Sequence, residues 1–591
     1  MRSAIIFLIL MLVLITPAGA QFENAQKASI KAVAVTSGDQ PTGVVINISV
    51  IVTPGDGRVF VSTTPYTEID MQGSAQLAAI TACDLLGIDF TKYDFFYTIE
   101  AEAPIVGGPS AGGVMTVATI AALKNLSIRD DVYMTGMIYP DGYIGPVGGL
   151  KYKLEAAAKN GAKIFLIPQG QRITYVEEKK VRRVGIISYI EVEYQELDLV
   201  EYGKQIGVNV YEVATINDAL KFFTGFEIKH PEGQFNIGSY STILKKLADR
   251  MKSSLDEISA TNDDAEKLIE KANQYYNEGK YYTATSTYFQ AKILKRYEEY
   301  RNKIITAQQF DEEVEKIQNE IDQMKNYLSE ESVGVNSLQI IAAAQERVAE
   351  AENLLEDAKN ARTDDEALQN LAYAKERVES AKVWLSILPD LKNDYEVSPE
   401  VLKRRAEFYV TEASSLLIYA SSLNGNEYLI NEGFDSLETA KRLLSEGLYA
   451  GAAFMALNSI TDASLSIEVT YGKIDDKVQG AREAAMVAIS EAEKSLFPVL
   501  PAAYFEYAEN LDNPYVKLMY YKLSMRLAKL LSLMVSSGGV KELVHAEFNP
   551  YTYSTPSSGK STIERVIETP GFEGLAAAIS ITVAAIAVRR R

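Results

Sequence analysis

The feature that most constrains this chain is the stretch Gly-Gly-Pro-Ser-Ala-Gly-Gly at residues 107–113. Its central residue, Ser110, precedes small and apolar residues spaced as on one face of a helix. A serine at the start of a helix faces backbone N–H groups with partial positive charge, and folds expose nucleophiles in this way. The stretch is equally typical of a turn in which the Ser110 side chain caps the helix. Taken alone, it leaves both interpretations open.

Histidine and cysteine are scarce, and this restricts the chemistry. The 591 residues contain two histidines, His230 and His545, and both lie well after Ser110. A serine hydroxyl needs an adjacent base, so a carboxylate or a neutral lysine is a better candidate than a Ser-His-Asp triad. The single cysteine, Cys83, excludes an intramolecular disulfide and a cysteine-based zinc site. No motif predicts a cofactor or a metal, and a net charge of −20 argues against a nucleic-acid partner.

Strand-like and helical patterns alternate between about residues 25 and 225, which predicts a compact α/β domain. Two strand-like runs, Val44–Thr53 and Arg58–Ser62, flank a Pro-Gly-Asp-Gly turn, and we predict that they form a β-hairpin. The other predicted strands are Phe95–Glu102, Val132–Ile138, Lys163–Pro168 and Val208–Val213. The predicted helices are Gly73–Gly87, Ser110–Leu123, Leu150–Asn160 and Ile216–Phe223.

One lysine in the predicted helix Leu150–Asn160 is a candidate base. Leu150, Leu154 and Ala157 form an apolar stripe, and Lys153 projects on or near this face. Burial lowers the pKa of a lysine and leaves the amine neutral, as a general base requires. Lysine side chains also extend along apolar surface to reach solvent, so the buried and the exposed placement both remain open.

Several motifs occur together in this domain. They are Gly108–Gly112, Thr135-Gly136 within Tyr-Met-Thr-Gly-Met-Ile, and Pro146–Ala157, with weaker matches at Met71–Gln76 and Ala162–Pro168. In this order they resemble the nucleophile motif, the Met-Thr-Gly strand and the lysine motif of the Lon proteolytic domain. Lon is a family of Ser-Lys serine peptidases. The resemblance implies an α/β fold of the Lon type, which is ribosomal-protein-S5-domain-2-like.

The resemblance also implies roles for individual residues. Ser110 would be the nucleophile, Lys153 the general base, and Thr135 the residue that hydrogen-bonds the lysine and orients it. Backbone groups of Pro109, Ser110 and Ala111 would form the oxyanion hole.

Two positions depart from the family pattern. Many relatives carry an acid where this chain has Gly107, and an acid often follows Thr-Gly where this chain has Met137. Neither belongs to the Ser-Lys pair, so the departures bear on loop conformation and regulation more than on the chemistry.

Lon proteins usually carry an ATP-driven unfoldase ahead of the proteolytic domain. This sequence has no Gly-x4-Gly-Lys-Ser/Thr motif, and only about five residues separate a predicted signal-peptide cleavage site after Ala20 from the first predicted domain. We therefore predict ATP-independent cleavage of peptides or unfolded proteins. The alternative is a catalytically inactive, surface-anchored binding or scaffold protein that keeps the fold. Related domains often form rings, so a homo-oligomer is also considered.

The two ends of the sequence predict transport and anchoring. Residues 1–20 contain a basic start, an apolar run and an Ala-Gly-Ala ending, which predict a secretory signal peptide; the alternative is a retained anchor helix. A stalk rich in Ser, Thr, Pro and Tyr covers 546–569. Residues 570–591 begin with Pro-Gly-Phe, continue with an apolar run and end in three arginines.

This C-terminal arrangement resembles an archaeal sorting signal, which is processed by an archaeosortase and replaced by a lipid. A retained C-terminal membrane helix is the alternative, although the apolar run is short for a full span. Either arrangement would anchor the protein by its C-terminus on the extracellular face of the cell membrane.

Residues 241–545, after a linker at 226–240, predict a mostly α-helical accessory domain. The spacing of small and tyrosine residues in Asp263–Glu298 resembles a tetratricopeptide helix pair, and a related pattern recurs at Glu446–Ala452. Glu312–Tyr327 and Ala342–Ile387 predict long charged helices.

Two roles for this domain remain open. It is either a spacer or dimer surface, or an arm that captures substrate or a partner. In the second case, a peptide groove would be lined by tyrosines that are also typical of a helical core: Tyr275, Tyr276, Tyr281, Tyr282 and Tyr288.

Overall fold

The structure is a computed structural model, and it describes residues 25–36, 41–67, 69–106, 108–184, 187–229, 235–470 and 474–546. The predicted signal peptide and C-terminal segment lie outside these residues, as does the stalk apart from its first residue. No helix in the described ranges is both long enough and apolar enough to cross a membrane. The chain divides into two compact units, an N-terminal unit that extends mainly to Lys229 and a helical unit formed mainly by the residues after it.

A four-stranded sheet forms one part of the N-terminal unit. Its strands are β1 (Gln26–Val35), β2 (Gly43–Pro54), β3 (Val59–Thr67) and β4 (Tyr93–Val106), in the order β1-β2-β4-β3. Helix α1 (Ile69–Leu86) connects β3 to β4, and these two strands are parallel. The other neighbours are antiparallel.

The predicted hairpin between β2 and β3 is wrong, because β4 lies between the two strands. Buried side chains of β2 stand opposite buried side chains of β4, with Val50 paired to Tyr97 and Ile48 to Ile99. Such apolar cross-strand pairs stabilise a sheet. The turn residues after β2 reverse the chain, but these long-range pairs determine its neighbour.

A second sheet carries the elements around the candidate site. It consists of β5 (Val132–Met134), β8 (Ile164–Pro168) and β11 (Asn209–Val213), all parallel, in the order β11-β8-β5. The helices of this region are α2 (Gly112–Lys124), α3 (Leu150–Lys159), α4 (Leu199–Gln205) and α5 (Ile216–Thr224). Leu150, Leu154 and Ala157 of α3 pack in one core cluster with Tyr133 and Phe165.

The predicted strand Val132–Ile138 is divided at Thr135-Gly136. β5 ends at Met134, and β6 (Met137–Ile138) pairs with β7 (Ile144–Gly145) instead of continuing the parallel sheet. The break places Thr135 at the end of a parallel strand, which is where open α/β sheets commonly carry functional groups.

Strands β9 (Ile173–Val184) and β10 (Ile187–Asp198) form a separate antiparallel ribbon that is not among the predicted strands. Their sequences are rich in charged residues and lack the continuous apolar run of a buried strand. The ribbon is closed at its base by the ion pair of Arg172 with Asp198, at 2.7 Å.

The helical unit contains short strands β12 (Tyr395–Val397) and β13 (Gly538–Glu542), which pair antiparallel. Its helices are α6 (Ser241–Ser253), α7 (Asp263–Asn277), α8 (Tyr281–Lys303), α9 (Ala307–Glu330), α10 (Leu338–Asn360), α11 (Asp364–Leu385), α12 (Pro399–Ser422), α13 (Glu427–Ser445), α14 (Tyr449–Thr470), α15 (Ile474–Ala492), α16 (Val499–Glu509) and α17 (Pro514–Val535).

The predicted helical stretch Ala342–Ile387 is two helices, α10 and α11, because Thr363 caps the start of α11 by accepting from the Glu366 N–H. The predicted pair in Asp263–Glu298 corresponds to α7 and α8, but a tetratricopeptide-like pairing is not confirmed. Tyr282 and Tyr288 are buried in the core of this unit, which weakens the case for a groove lined by all five tyrosines.

Candidate functional site

Ser110 lies in a single turn of 3-10 helix, Pro109–Ala111, which continues directly into α2. The preceding Gly108 has a φ of 94°, a backbone conformation that residues with side chains rarely adopt. Ser110 itself is half-buried. The turn therefore presents Ser110 at the start of a helix, as the sequence pattern predicts.

Two glycines after the serine allow α2 to approach the break in the strand. A Cβ atom at Gly112 would lie 2.6 Å from Cγ2 of Ile138, and one at Gly113 would lie 2.9 Å from Cε of Met134. These distances are too short for any larger residue without rearrangement. Gly112, which also lies against the Ile138 main chain, is thus required by the packing of the Ser110 turn, whereas at Gly113 the end of the flexible Met134 side chain could move aside.

Main-chain hydrogen bonds join the same two segments. The Gly136 N–H donates to the Ser110 carbonyl oxygen at 2.9 Å, and the Gly113 N–H donates to the Gly136 carbonyl oxygen at 3.1 Å. The Thr135 N–H donates to Leu166 of β8 at 3.2 Å, which continues the pairing of the parallel sheet. The Ser110 turn is therefore fixed to the sheet through Thr135 and Gly136.

The fully buried Thr135 side chain links the serine turn to the lysine. Its Oγ1 donates to the Ser110 carbonyl oxygen at 3.4 Å and accepts from Lys153 Nζ at 3.3 Å. The structure thus brings the three predicted catalytic residues into one hydrogen-bonded series, in which Thr135 is the middle member.

Lys153 is buried, with 4% of its surface exposed, so of the two placements that the sequence leaves open the structure has the buried one. Burial lowers the pKa of its ammonium group from 10.5 to about 8, and within the described residues burial is the one cause of this lowering. By contrast, Lys159 at the end of the same helix is exposed. A substantial fraction of Lys153 is therefore neutral in mildly alkaline solution.

One of the predicted oxyanion-hole residues is wrong on chemical grounds. Pro109 has no N–H, so it cannot donate to an oxyanion. Its carbonyl oxygen instead accepts from the Gly112 N–H and closes the 3-10 turn. The N–H groups of Ser110 and Ala111 remain the candidate donors. Of the two positions that depart from the family pattern, Gly107 lies outside the described residues and Met137 is buried in β6.

The sequence reading gave no role to Gln171, which contacts the turn before the lysine helix. Its side chain makes two hydrogen bonds to the main chain of Val147. Gln171 belongs to no sequence motif, and no spacing in the sequence indicates that it bonds to the main chain of Val147.

The described residues contain no group of three or more His, Cys, Asp or Glu side chains arranged to hold a metal ion. His545, in the helical unit, lies between Asp394 and Glu331, with ring nitrogens at 2.7 and 2.9 Å from their carboxylates. Burial lowers the pKa of His545, but the two hydrogen bonds and the negative charges of the two acids together outweigh burial and raise the pKa to about 9. Both ring nitrogens are thus engaged by acids.

Comparison with known proteins agrees with a site built on Ser110, Thr135 and Lys153. Residues 18–188, less than a third of the chain, match the family model of the Lon protease (S16) C-terminal proteolytic domain. The N-terminal unit thus contains a region similar to the domain that carries proteolysis in that family.

Individual relatives match over the same region. The chain is 36% identical over 163 residues to the Lon protease of Phenylobacterium zucineum (strain HLK1), a match covering 26% of this chain and 20% of that protein. It is 31% identical over 172 residues to the archaeal Lon protease of Pyrococcus abyssi (strain GE5 / Orsay), covering 28% of this chain and 17% of that protein. The matches thus span about a fifth of the length of these relatives.

Proposed function

We propose that this protein is a serine peptidase in which Ser110 is the nucleophile and Lys153 is the general base. The observation that carries the proposal is the position of Thr135, whose hydroxyl contacts both the buried Lys153 amine and the Ser110 turn. Burial of Lys153, which lowers its pKa to about 8, reduces the free energy of unfolding. Such a perturbed pKa is typical of functional sites. The similarity to Lon proteolytic domains supports the same assignment.

In the acylation step, Ser110 Oγ attacks the carbonyl carbon of the scissile peptide bond while its proton moves to the neutral Lys153 Nζ. The carbonyl oxygen becomes an oxyanion, which the N–H groups of Ser110 and Ala111 would stabilise. The lysine ammonium then gives its proton to the leaving amine, and the C–N bond breaks. The products are an acyl-serine and a free amino terminus.

In the deacylation step, a water molecule passes a proton to Lys153 and attacks the acyl carbon. The C–O bond to Ser110 breaks, and the lysine returns the proton to the serine oxygen. Because both steps require a neutral lysine, activity should rise with pH along a limb centred near the lysine pKa of about 8.

We also propose that the cleavage needs no ATP and acts on peptides or unfolded proteins outside the cell. The 591 residues contain no Gly-x4-Gly-Lys-Ser/Thr motif, which supports independence from ATP. The signal-like residues 1–20 and the Pro-Gly-Phe segment at 570–591 support a protein anchored on the extracellular face of the membrane.

The test is cleavage of an unfolded casein-type substrate by the full chain, with and without ATP. Ser110→Ala and Lys153→Ala should each abolish measurable cleavage, whereas Lys159→Ala, a matched change of an exposed lysine on the same helix, should leave it unchanged. Addition of ATP should leave the wild-type rate the same. Undiminished cleavage by Ser110→Ala would reject the proposal, and absence of any cleavage by the wild type would favour a non-catalytic binding protein.

A further inference from the structure

The amide of Gln171 pairs with both main-chain groups of one residue in the turn before the lysine helix. Gln171 Oε1 accepts from the Val147 N–H at 2.9 Å, and its Nε2 donates to the Val147 carbonyl oxygen at 3.0 Å. The side chain thus satisfies Val147 in the way that a neighbouring strand would. Two simultaneous hydrogen bonds fix the orientation of the Val147 peptide groups as well as their position.

The turn that carries Gln171 is itself held firmly. Glu212 of β11 accepts from the N–H groups of Gly170, at 2.7 Å, and of Arg172, at 3.1 Å. The Gln171 N–H donates to the carbonyl oxygen of Pro168 at 3.2 Å. Gly170 has a φ of 85°, so the turn needs a residue without a side chain at this point. Gln171 is therefore presented to Val147 from a support anchored on the β8–β11 pair.

Val147 is connected to Lys153 through a segment that does not fix its own conformation. Gly148 and Gly149 follow Val147, and glycine has the widest conformational freedom of all residues. Gly149 has a φ of 69°, and its carbonyl oxygen accepts from the Lys153 N–H at 3.1 Å in the first turn of α3. Leu150 lies in the core cluster and the Val147 side chain packs against it, so apolar contacts hold both ends of this segment. The conformation of the main chain between them depends in addition on the two hydrogen bonds to Val147.

We propose that Gln171 is a positioning residue, which fixes the start of α3 and thereby places Lys153 Nζ against Thr135 and the Ser110 turn. This inference rests on the proposed peptidase function. Gln171 acts through Val147 and the helix, and among the described residues its side chain makes its hydrogen bonds to Val147 and none to the three residues of the proposed mechanism. Without its two hydrogen bonds, the Val147–Gly149 segment takes up alternative conformations and water reaches the lysine.

The test compares Gln171→Met with Gln169→Met in the full chain. Methionine keeps the length of glutamine but makes neither hydrogen bond, and Gln169 is an exposed neighbour in the same turn. For Gln171→Met we expect kcat to fall about ten- to hundred-fold, as for a small misplacement of a catalytic group, with KM nearly unchanged. The rising limb of the pH–kcat profile should move to higher pH, since a hydrated lysine regains its ordinary pKa.

The Gln169→Met control should keep the wild-type kcat and pH limb. Hydrogen exchange of the peptide covering residues 146–153, read by mass spectrometry, should be faster in Gln171→Met than in this control. An unchanged pH limb and unchanged exchange in Gln171→Met would overturn the inference, even while Ser110→Ala and Lys153→Ala remain inactive. Failure of the proposed function is distinct from this result, because it would appear in those two variants.

A second variant keeps the inference testable if Gln171→Met does not fold. Glu212→Ala keeps the Gln171 side chain but removes the carboxylate that accepts the two hydrogen bonds from the turn around it. We expect a smaller fall in kcat and a shift of the pH limb in the same direction. If Glu212→Ala keeps the wild-type kcat and the wild-type rising limb of the pH–kcat profile, the proposal that Glu212 holds the Gln171 turn in position is contradicted.

Discussion

Replacement of Lys153 by methionine should make the N-terminal unit more stable at neutral pH while it abolishes cleavage. At pH 7 the lysine is protonated in both states, but its pKa is about 8 in the folded protein against 10.5 unfolded. Each pKa unit corresponds to about 1.4 kcal/mol, so burial of this charge costs about 3 kcal/mol of the free energy of unfolding. The hydrogen bond to Thr135 returns about 1 kcal/mol. Lys153→Met should therefore gain about 2 kcal/mol.

The sign of this effect changes with pH. Between about pH 8 and pH 10.5 the unfolded state binds more protons than the folded state, so the wild type becomes more stable as the pH rises. Above this range the lysine is neutral in both states and its burial carries no charge penalty. The Lys153→Met variant should then be less stable than the wild type, by about the value of the lost hydrogen bond, which is about 1 kcal/mol.

The assay is unfolding in urea at pH 7 and at a pH above 10.5, monitored by pulsed hydrogen exchange of the α2 and β5 amides. Fluorescence of the single tryptophan, Trp384, which lies in the helical unit, serves as an internal control that the substitution should not move. Lys159→Met should leave the unfolding transitions of the N-terminal unit and of the helical unit unchanged, because Lys159 is exposed. If Lys153→Met lowers the stability of the N-terminal unit equally at both pH values, the reasoning about a buried charge is refuted.

Two further predictions concern the residues around this lysine. Thr135→Val keeps the shape of the side chain but removes the hydroxyl that contacts Lys153, so kcat should fall about ten- to hundred-fold while the circular dichroism spectrum stays the same; a wild-type kcat would contradict the linking role of Thr135. Gly136→Ala would place a Cβ atom 2.3 Å from a neighbouring isoleucine side chain and should cost about 1–3 kcal/mol in urea unfolding. Gly148→Ala meets nothing within 4 Å and is the matched control, and equal stabilities of the two variants would contradict the packing argument.

The local chemistry of the site was predictable from the sequence because it is encoded by short-range patterns. The apolar stripe of Leu150, Leu154 and Ala157 places Lys153 on or near the buried face but leaves open whether its amine reaches solvent, and the structure buries it. The glycines around Ser110 predicted a tight turn before a helix, and the structure has this turn. The period of the helix is sufficient to predict the face on which Lys153 lies. The backbone freedom of glycine is sufficient to predict the turn at Ser110.

Long-range pairing was not predictable in this way. The turn after β2 predicts a hairpin, but the neighbour of β2 is determined by Phe95, Tyr97 and Ile99 of β4, about 45 residues further along the chain. The ribbon of β9 and β10 is not predicted, because its many charged residues leave no clear alternation of apolar and polar positions. Gln171 was missed for a related reason, since its partner, Val147, is distant in sequence and is contacted through main-chain groups that no residue type reveals.

The direction of the hydrogen bonds through Thr135 has a consequence for the proposed catalytic cycle. Lys153 donates to the threonine hydroxyl, and the hydroxyl donates onward to the Ser110 carbonyl oxygen. A neutral amine and an ammonium ion can both donate to the same acceptor, so this arrangement suits either protonation state of the lysine. The lone pair of the neutral amine is not used by Thr135 and stays available for the serine proton. In the proposed mechanism the lysine therefore exchanges a proton in each half of the cycle with no rotation of Thr135, and the surrounding dipoles need not reorganise as charge appears.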